Sequence, residues 1–344
     1  MVQIKLDRFK GIEKHEFTLE ILTPMFLGGA NPQDAELRAA SIKGALRFWW
    51  RALQAETNIN DLRRRENEIF GGSEGDSGQK SRVKIEVDEN KIECGEQIPN
   101  SATVCIHGNN IPILKYLTVG LYRFGGGVHE FNRNYIKEGT FNIKLFFPET
   151  YPEVLDAFYL MVYCGGLGAK SRNGFGSLNI SKGSVRPLLE IFRNKDFNLR
   201  FENLNYAAFS QDSRLFESVD DFDNPLKALE HAGLTYFALK ASLKPDHLCE
   251  RRRYLGLPLI PCNQRGRQAK WIFIRVFKTP ESKYKSRFLF LPHRLRIRNF
   301  DLNIFNDVFN HCQNRIVQEG IPFGGFDNCN AGVLGGNYEE IEII

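Results

Sequence analysis

The sequence predicts an α+β protein made of two copies of one unit, each an antiparallel sheet with helices packed on one face. Two observations support this prediction. Several segments alternate apolar and polar residues with the period of a half-buried strand. The order helix, glycine-rich segment, terminal strand occurs twice, at 151–182 and at 301–344. A chain of 344 residues, 42% of them hydrophobic, has the length of about two domains. We place the boundary near residue 190, so the expected domains are 1–190 and 191–344.

The strand predictions rest on alternation. In the first half, apolar residues occupy every second position in four segments, at Phe17 to Ile21, Val83 to Val87, Phe141 to Leu145 and Leu178 to Ile180. A period of two is typical of strands that bury one face and leave the other in water.

Three segments have the apolar spacing of helices. "SIKGALRFWWRAL" (41–53) places its apolar residues on one face, with Ser41 as the expected N-cap. "YPEVLDAFYLMVYC" (151–164) is largely apolar and predicts a buried helix. Residues 301–318 repeat the helical spacing in the second half.

Positive charge is concentrated in one segment. Residues 251–298 contain fourteen lysines and arginines but one acid, Glu281, which is a net charge of +13 in a chain whose total is +5. A concentrated positive field attracts polyanions, because binding to protein cations releases the counterions of the phosphates. A polyanionic partner and a merely solvated basic surface both fit this composition.

A glycine-rich segment follows the second predicted helix. "GGLGAKSRNGFGSL" (165–178) matches neither the Walker A loop, in which the lysine directly follows a glycine, nor the dinucleotide motif, whose third glycine is replaced by Ser171. Two interpretations remain: backbone amides that approach a phosphodiester, or a tight turn that lets helix and strand pack closely. The residues concerned are Gly165, Gly166, Gly168, Gly174 and Gly176, with the cations Lys170 and Arg172.

The seven cysteines are widely spaced and form no C-x-x-C pair, so we expect free thiols in a reducing compartment and no metal site. The N-terminus lacks the apolar core of a signal peptide, and no apolar run reaches the roughly 18 residues of a membrane span. We therefore expect a cytoplasmic protein without a membrane partner. No motif predicts a cofactor.

Three segments together resemble a known family. "LTPMFLGGANPQDAELRAASIKGALRFWWRAL" (22–53) combines a strand that ends in Thr-Pro, a glycine pair and the first helix. With "ENEIFGG" (66–72) and "GLGAKSRNGFG" (166–176), it resembles the RAMP superfamily of CRISPR proteins, and in particular the first subunit of Cmr (type III-B) effector complexes. The second half is similar to that family only in its general layout.

The resemblance implies two ferredoxin-like (RRM-like) domains that face each other across a basic cleft. It also implies a non-catalytic, RNA-binding subunit of an RNA-guided effector complex in antiviral defence. The implied partners are guide (CRISPR) RNA, single-stranded target RNA and other Cmr-complex RAMP subunits, with contact at the 3′ part of the guide, at the target, or at both.

The candidate RNA-binding residues are cations and one tryptophan. On the helix 41–53, Lys43, Arg47 and Arg51 recur every four residues and share one face, where their mutual repulsion favours a bound anion. Trp50 either stacks on a base or packs in the core. The remaining candidates are Arg38, which can join this stripe or pair with Glu36, the cations Lys170 and Arg172, and the alternating Arg294, Arg296 and Arg298.

Two other functions stay open on the sequence. Some RAMP proteins are endoribonucleases that cut guide precursor or target RNA. Asp34 lies before the first helix, where such an enzyme would carry its aspartate, although a carboxylate is common before a helix. The histidines are scattered and indicate no acid/base pair. The other possibility is a scaffold subunit whose basic surfaces bind acidic proteins.

Overall fold

The computed structural model describes residues 11–29, 31, 34–74, 77–106, 108–125, 128–131, 133–193, 195–243, 250–256, 269–297, 299–324 and 329–343. The first half holds these elements: β1 (Ile12–Ile21), α1 (Ala39–Gln54), α2 (Ile59–Phe70), β2 (Gly72–Glu74), β3 (Ser77–Gln79), β4 (Lys84–Gly95), β5 (Thr103–Ile106), β6 (Asn109–Pro112), α3 (Ile113–Leu117), β7 (Tyr122–Gly125), β8 (Val128–Phe131), β9 (Tyr135–Pro148), α4 (Glu153–Tyr163) and β10 (Leu178–Lys182).

A connecting segment and a second α+β unit follow. They contain α5 (Leu188–Phe192), β11 (Arg214–Ser218), α6 (Pro225–Ala241), β12 (Ile272–Lys278), β13 (Tyr284–Phe290), α7 (Leu302–Ile316), β14 (Glu319–Phe323), β15 (Gly332–Gly336) and β16 (Tyr338–Ile341), with short 3-10 helices at Phe201–Asn203 and Arg252–Leu255.

Each half contains one four-stranded antiparallel sheet with ferredoxin-like topology. The first sheet has the order β10-β1-β9-β4, and the second has the order β12-β13-β11-β16. In both halves the chain runs strand, helix, strand, strand, helix, strand, with α1 and α4 in the first and α6 and α7 in the second. The predicted α+β class with two ferredoxin-like units is therefore confirmed. Residues 183–213 separate the two sheets, and the boundary near residue 190 stays a prediction.

The apolar periodicity explains where the helices lie. Helix α1 buries Ile42, Leu46, Trp49 and Leu53 as predicted, but it begins at Ala39, so Ser41 is not its N-cap. Helix α7 begins where Asp301 accepts hydrogen bonds from two backbone N–H groups of the first turn. No helix in the described residues is both long and apolar enough to cross a bilayer.

The two units pack directly on each other. The second sheet is buried on both faces: α6 and α7 cover one, and the first unit covers the other. Phe273 of β12 contacts Phe48 and Trp49 of α1, with ring centroids 5.7 and 5.6 Å apart. Arg287 of β13 donates to the carbonyl of Tyr163 at the end of α4. The two units are therefore in direct contact through aromatic rings of β12 and α1 and through an arginine of β13.

A disulfide joins the two halves at a second place. Cys105 of the β5–β6 hairpin is bonded to Cys329, which precedes β15. The expectation of free thiols is therefore wrong for this pair, because the hairpin packs against α6 and brings two cysteines 224 residues apart in the chain into contact. Cys94, Cys164 and Cys312 are free thiols.

Candidate nucleic-acid interface

The cationic stripe of α1 has an internal counterion. Arg47 and Arg51 both donate to the same oxygen, Glu66 Oε1 of α2, at 2.6 and 2.7 Å. The Glu66 side chain is only 8% exposed. The three cations do share one helix face, as predicted, but the single carboxylate of Glu66 pairs with two of them and offsets one of their two positive charges, so part of their repulsion is relieved inside the protein and one net positive charge remains for an external anion. Lys43 donates to Ser81 Oγ at 3.0 Å, and partial burial lowers the pKa of its amine.

Trp50 is a core residue. Its side chain is fully buried, its ring lies edge-on to Phe70, and the Arg65 guanidinium lies 5.7 Å from its centroid. A ring without an exposed face cannot stack on a base, so the base-stacking interpretation of Trp50 is wrong. The packing alternative describes it correctly.

The glycines of the glycine-rich segment allow close packing. Gly168, Gly174 and Gly176 have positive φ angles. A Cβ at Gly176 would lie 1.9 Å from the Leu167 carbonyl oxygen, and one at Gly168 would lie 2.5 Å from the Phe26 oxygen. Added Cβ atoms at Gly165 and Gly166 would also collide with their neighbours. The tight-turn interpretation therefore accounts for all five glycines.

The backbone amides of this segment are already used within the protein. Ala169 donates to the Phe26 carbonyl, Gly176 donates to the Pro24 carbonyl, and Leu167 donates to the Gly176 carbonyl. An amide that donates to a carbonyl in the folded protein is not free for a phosphate oxygen. The expected backbone cradle is therefore not supported at these positions, and the charge of the segment resides in its two cations.

Arg172 extends from the glycine-rich segment into the contact between the two units. Its guanidinium lies 5.3 Å from the centroid of Phe48 and 4.5 Å from that of Phe273, and it donates to the Lys270 carbonyl. Burial lowers the pKa of Arg172 to about 10, so the group is still charged at neutral pH. Lys170 donates to the Val119 carbonyl, and burial lowers the pKa of its amine.

Three of the predicted cations meet in one pocket, which we call the interdomain pocket. Arg51 of α1, Arg172 of the glycine-rich segment and Arg296 of the segment after β13 line a volume of about 240 Å³. None of the described residues that line this pocket carries a carboxylate. Its other lining residues are Phe48, Asn205, Tyr206, Ala207, Ala269 and His293. Arg51 also lines a neighbouring pocket of about 500 Å³ over α2, so the two openings adjoin.

The other titratable groups of the interdomain pocket are neutral at pH 7. Burial lowers the pKa of His293 to about 4. Burial also raises the pKa of the Tyr206 hydroxyl to about 12, and this hydroxyl accepts a hydrogen bond from the Glu56 amide. The charge of the pocket therefore comes from its arginines, and the pocket is suited to an anion.

The remaining predicted cations lie elsewhere. Arg294 and Arg296 are exposed and Leu295 between them is buried, so the alternation is as predicted, although this segment belongs to neither sheet. Arg294 does not line the interdomain pocket. Arg298 lies outside the described residues. Arg38 is exposed, and its Nε lies 3.8 Å from Glu36 Oε1. Of the two alternatives for Arg38, the structure therefore has the ion pair with Glu36.

The basic segment 251–298 contributes less surface charge than its composition predicts. Arg253, Lys270, Arg275 and Arg287 are buried. Arg287 is paired with Glu217 of β11, and Arg275 donates to the Leu178 carbonyl. The charges of Arg275 and Arg287 are thus used inside the protein and add little to the surface charge of the segment.

Sequence reasoning missed four residues of this region: Glu66, Asn205, Tyr206 and His293. Glu66 lies in the family-like "ENEIFGG", but nothing in that motif indicates its partners. The other three lie in segments without regular periodicity, and no local signal could have identified them. Asp34, the candidate nuclease residue, accepts a hydrogen bond from Asn31 at 2.9 Å. Within the described ranges, no group of three His, Cys, Asp or Glu residues could hold a metal ion.

Comparison with known sequences identifies similar proteins for part of the chain. Residues 18–179 match the RAMP superfamily. A stretch of 73 residues, 20% of this chain, is 38% identical to 39% of the CRISPR system Cmr subunit Cmr1-2 of Pyrococcus furiosus. A longer stretch of 193 residues, 53% of this chain, is 29% identical to 52% of subunit Cmr1-1 of the same organism. The matches thus span about half, or less, of the length of these curated relatives.

Two solved structures share the fold over most of the chain. The crystal structure of Cmr1 from Pyrococcus furiosus in its apo form aligns with a TM-score of 0.50 and 18% identity, covering 94% of this chain and 99% of that one. A chain in the cryo-EM structure of the type III-B Cmr-beta complex, bound to cognate target RNA and AMPPnP in the presence of ssDNA, aligns with a TM-score of 0.52 and 13% identity, covering 87% and 98%. These similarities support the two-unit architecture.

Proposed function

Starting from the RAMP superfamily match over residues 18–179, we propose that this chain is a non-catalytic RNA-binding subunit of a type III-B CRISPR (Cmr) effector complex. Its proposed partners are guide RNA, single-stranded target RNA and neighbouring RAMP subunits of the complex. The relatives are Cmr subunits, and one neighbour of known structure belongs to a Cmr complex that holds cognate target RNA. The contact is proposed at the 3′ part of the guide, at the target, or at both.

One observation carries the proposal: Arg51, Arg172 and Arg296, which are far apart in sequence, converge on a pocket whose described lining residues include no carboxylate. Guanidinium groups bind phosphate oxygens through paired N–H donors, and several of them around one cavity favour a polyanion over a neutral ligand. The half-buried rings of Phe48 and Tyr206 line the same pocket, so the base of a nucleotide whose phosphate is bound there has aromatic neighbours.

The same geometry favours recognition of the backbone over recognition of bases. The arginines are suited to phosphate, which carries no sequence information. We therefore propose that the chain binds unrelated single-stranded RNAs with similar affinity, and that pairing with the guide supplies the sequence specificity of the complex.

The non-catalytic part of the proposal rests on the groups around the pocket. A general acid or base is most effective with a pKa near the working pH. The pKa of His293 is about 4 and that of Tyr206 about 12, so both groups are poorly suited to proton transfer at pH 7. Labelled RNA incubated with the purified chain and Mg²⁺ or Mn²⁺ is expected to stay intact. Cleavage that disappears in Asp34→Asn would establish the nuclease instead.

The salt dependence of RNA binding tests the proposed function. If three arginines each neutralise one phosphate, the slope of log affinity against log salt is about −2 for a single strand, from roughly −0.7 per contact. Fluorescence anisotropy of a labelled oligoribonucleotide between low and physiological salt measures this slope. Binding that does not respond to salt, or no binding at low salt, would favour the scaffold function, in which the cations contact acidic proteins.

A further inference from the structure

Lys270 is a buried lysine whose amine finds no hydrogen-bond acceptor in the part of the chain that the structure describes. It lies two residues before β12, and only 9% of the residue is exposed. Its Nζ has no hydrogen-bond partner among the described residues, and it lies 3.9 Å from the centroid of the Tyr236 ring on α6. A buried ammonium normally has an anion or several carbonyl oxygens beside it. Lys270 has only the face of an aromatic ring.

The charged side chains that act on Lys270 are all cations. They are Lys240 of α6 and Lys170 and Arg172 of the glycine-rich segment. The acceptors of these three cations are neutral oxygens, namely the Tyr116 hydroxyl, the Val119 carbonyl and the carbonyl of Lys270 itself. Four basic side chains from three separate segments thus lie together, and no described acid pairs with them.

Such a cluster is destabilised until an anion joins it. Burial and the three neighbouring cations lower the pKa of Lys270 well below its ordinary value, because the charged form has lost its water and gained no counterion. A free phosphate ion has four oxygens, and a phosphodiester of RNA has one negative charge and two non-bridging oxygens, so either can accept hydrogen bonds from more than one of these donors. A lysine ammonium is a common ligand for phosphate in proteins.

We propose that Lys270, Lys240, Lys170 and Arg172 form a binding site for one phosphate group. The site adjoins the interdomain pocket, because Arg172 and Ala269, the residue before Lys270, line that pocket. The phosphate is either a free phosphate ion or part of an RNA backbone that continues from the pocket. The second source rests on the proposed function, whereas the first does not.

Binding at this site is coupled to proton uptake. The phosphate raises the pKa of Lys270, so the amine gains a proton on binding at any pH between its free and bound pKa values, and affinity falls as the pH rises through that range. The groups that act on the amine are Tyr236, Lys240, Lys170 and Arg172, and Tyr116 is hydrogen-bonded to Lys240. Burial raises the pKa of Tyr236 to about 12 and lowers that of Arg172 to about 10, so neither group changes its charge near neutral pH.

Calorimetry of the full chain tests the site. Inorganic phosphate is titrated into the protein at several pH values, each in two buffers of different ionisation enthalpy, which reveals proton uptake. Single-stranded RNA binding is followed by anisotropy over the same pH range. Lys270→Met keeps the length of the side chain, and we expect it to weaken binding at least about tenfold. Lys270→Arg should bind with less proton uptake. Lys227→Met, an exposed position on the same helix as Lys240, is the matched control and should behave as wild type.

The two ligands distinguish the sources of the phosphate. If Lys270→Met weakens the binding of inorganic phosphate, a free phosphate ion is sufficient as the ligand. If Lys270→Met weakens the binding of RNA but not that of inorganic phosphate, the ligand is a backbone phosphate. The inference is overturned if neither affinity depends on Lys270, or if wild type and Lys270→Arg take up the same number of protons on binding at every pH. The phosphate site can be tested separately from the proposed function, because Arg296 lines the interdomain pocket but is not one of the four cations of the proposed phosphate site.

A second measurement covers the case in which Lys270→Met does not fold. In the wild-type chain with ¹³C-methylated lysines, the Lys270 signal, assigned with Lys270→Arg, reports its pKa directly. We expect the titration to move to higher pH on addition of phosphate or RNA. A Lys270 signal that titrates identically with and without both ligands contradicts the site.

Discussion

Arg51 Nη1 lies 2.7 Å from Oε1 of Glu66, so a cation predicted to bind phosphate already contacts a carboxylate of the protein. Arg47 shares the same oxygen, and the pair of arginines fixes α2 against α1. Because the Glu66 side chain is almost fully buried, removing its charge leaves its partly buried partners unpaired, which costs more than breaking a surface ion pair.

Glu66→Gln tests this contact. The change removes the charge but keeps an oxygen, and we expect it to lower the free energy of unfolding by about 1–3 kcal/mol, as for a lost hydrogen bond to a charged group. Urea unfolding measures the change. Glu86→Gln, at an exposed position on β4, is the control and should leave stability near that of wild type. Equal effects of the two substitutions would show that the buried pair does not form.

Gly176→Ala should destabilise the protein strongly. The residue has a φ of +65°, and its added Cβ would lie 1.9 Å from the Leu167 carbonyl oxygen, so the backbone must move. The contrasting variant is Gly44→Ala in α1, where nothing lies within 4 Å of the added atom, and where we expect a gain of about 0.5–1 kcal/mol. Thermal melting of both variants checks the pair of predictions. If Gly176→Ala melts like wild type, the tight-turn account of the segment is wrong.

The fold was predictable from the sequence because periodicity is local. The helix predicted at 41–53 is α1 at Ala39–Gln54, and the one predicted at 301–318 is α7 at Leu302–Ile316. The candidate site was predictable only in part. The cations are visible in the sequence, but the counterion Glu66 belongs to another helix, and the atoms that crowd Gly168 belong to Phe26, far away in the chain. Both depend on tertiary contacts that no local pattern encodes.

The Cys105–Cys329 disulfide predicts a response to reductant. Reduction removes a cross-link between residues 224 apart in the chain, so the conformational entropy of the denatured chain rises. We expect the free energy of unfolding to fall by about 2–4 kcal/mol. Peptide mapping without reductant should recover a cross-linked peptide that holds both cysteines. Cys105→Ser should reproduce the effect of reductant, and Cys94→Ser, at an exposed free thiol, should not. Recovery of only separate peptides would contradict the disulfide.

His293 predicts a part of the acid sensitivity of the fold. Its pKa is about 4 in the folded protein against about 6.5 in the unfolded chain, so the unfolded state gains the proton first as the pH falls. Above pH 6.5 the imidazole is neutral in both states, so it does not lower the stability of the fold. As the pH falls from 6.5 towards 4, only the unfolded state takes up the proton, and the free energy of unfolding decreases by about 3 kcal/mol. His293→Asn cannot take up this proton. Its unfolding free energy should therefore fall less steeply than that of wild type between pH 6.5 and 4, and parallel curves would contradict the buried, neutral imidazole.

The interdomain pocket is tested most directly by comparing Arg296 with Arg294. Both are exposed arginines of one short segment, but only Arg296 lines the pocket. The measurement is the affinity of Arg296→Gln and Arg294→Gln for single-stranded RNA as a function of salt. We predict that Arg296→Gln binds more weakly, with a salt slope reduced by about 0.7, while Arg294→Gln binds as wild type. Equal affinities of Arg296→Gln and wild type, or equal losses in both variants, would contradict RNA binding in the pocket.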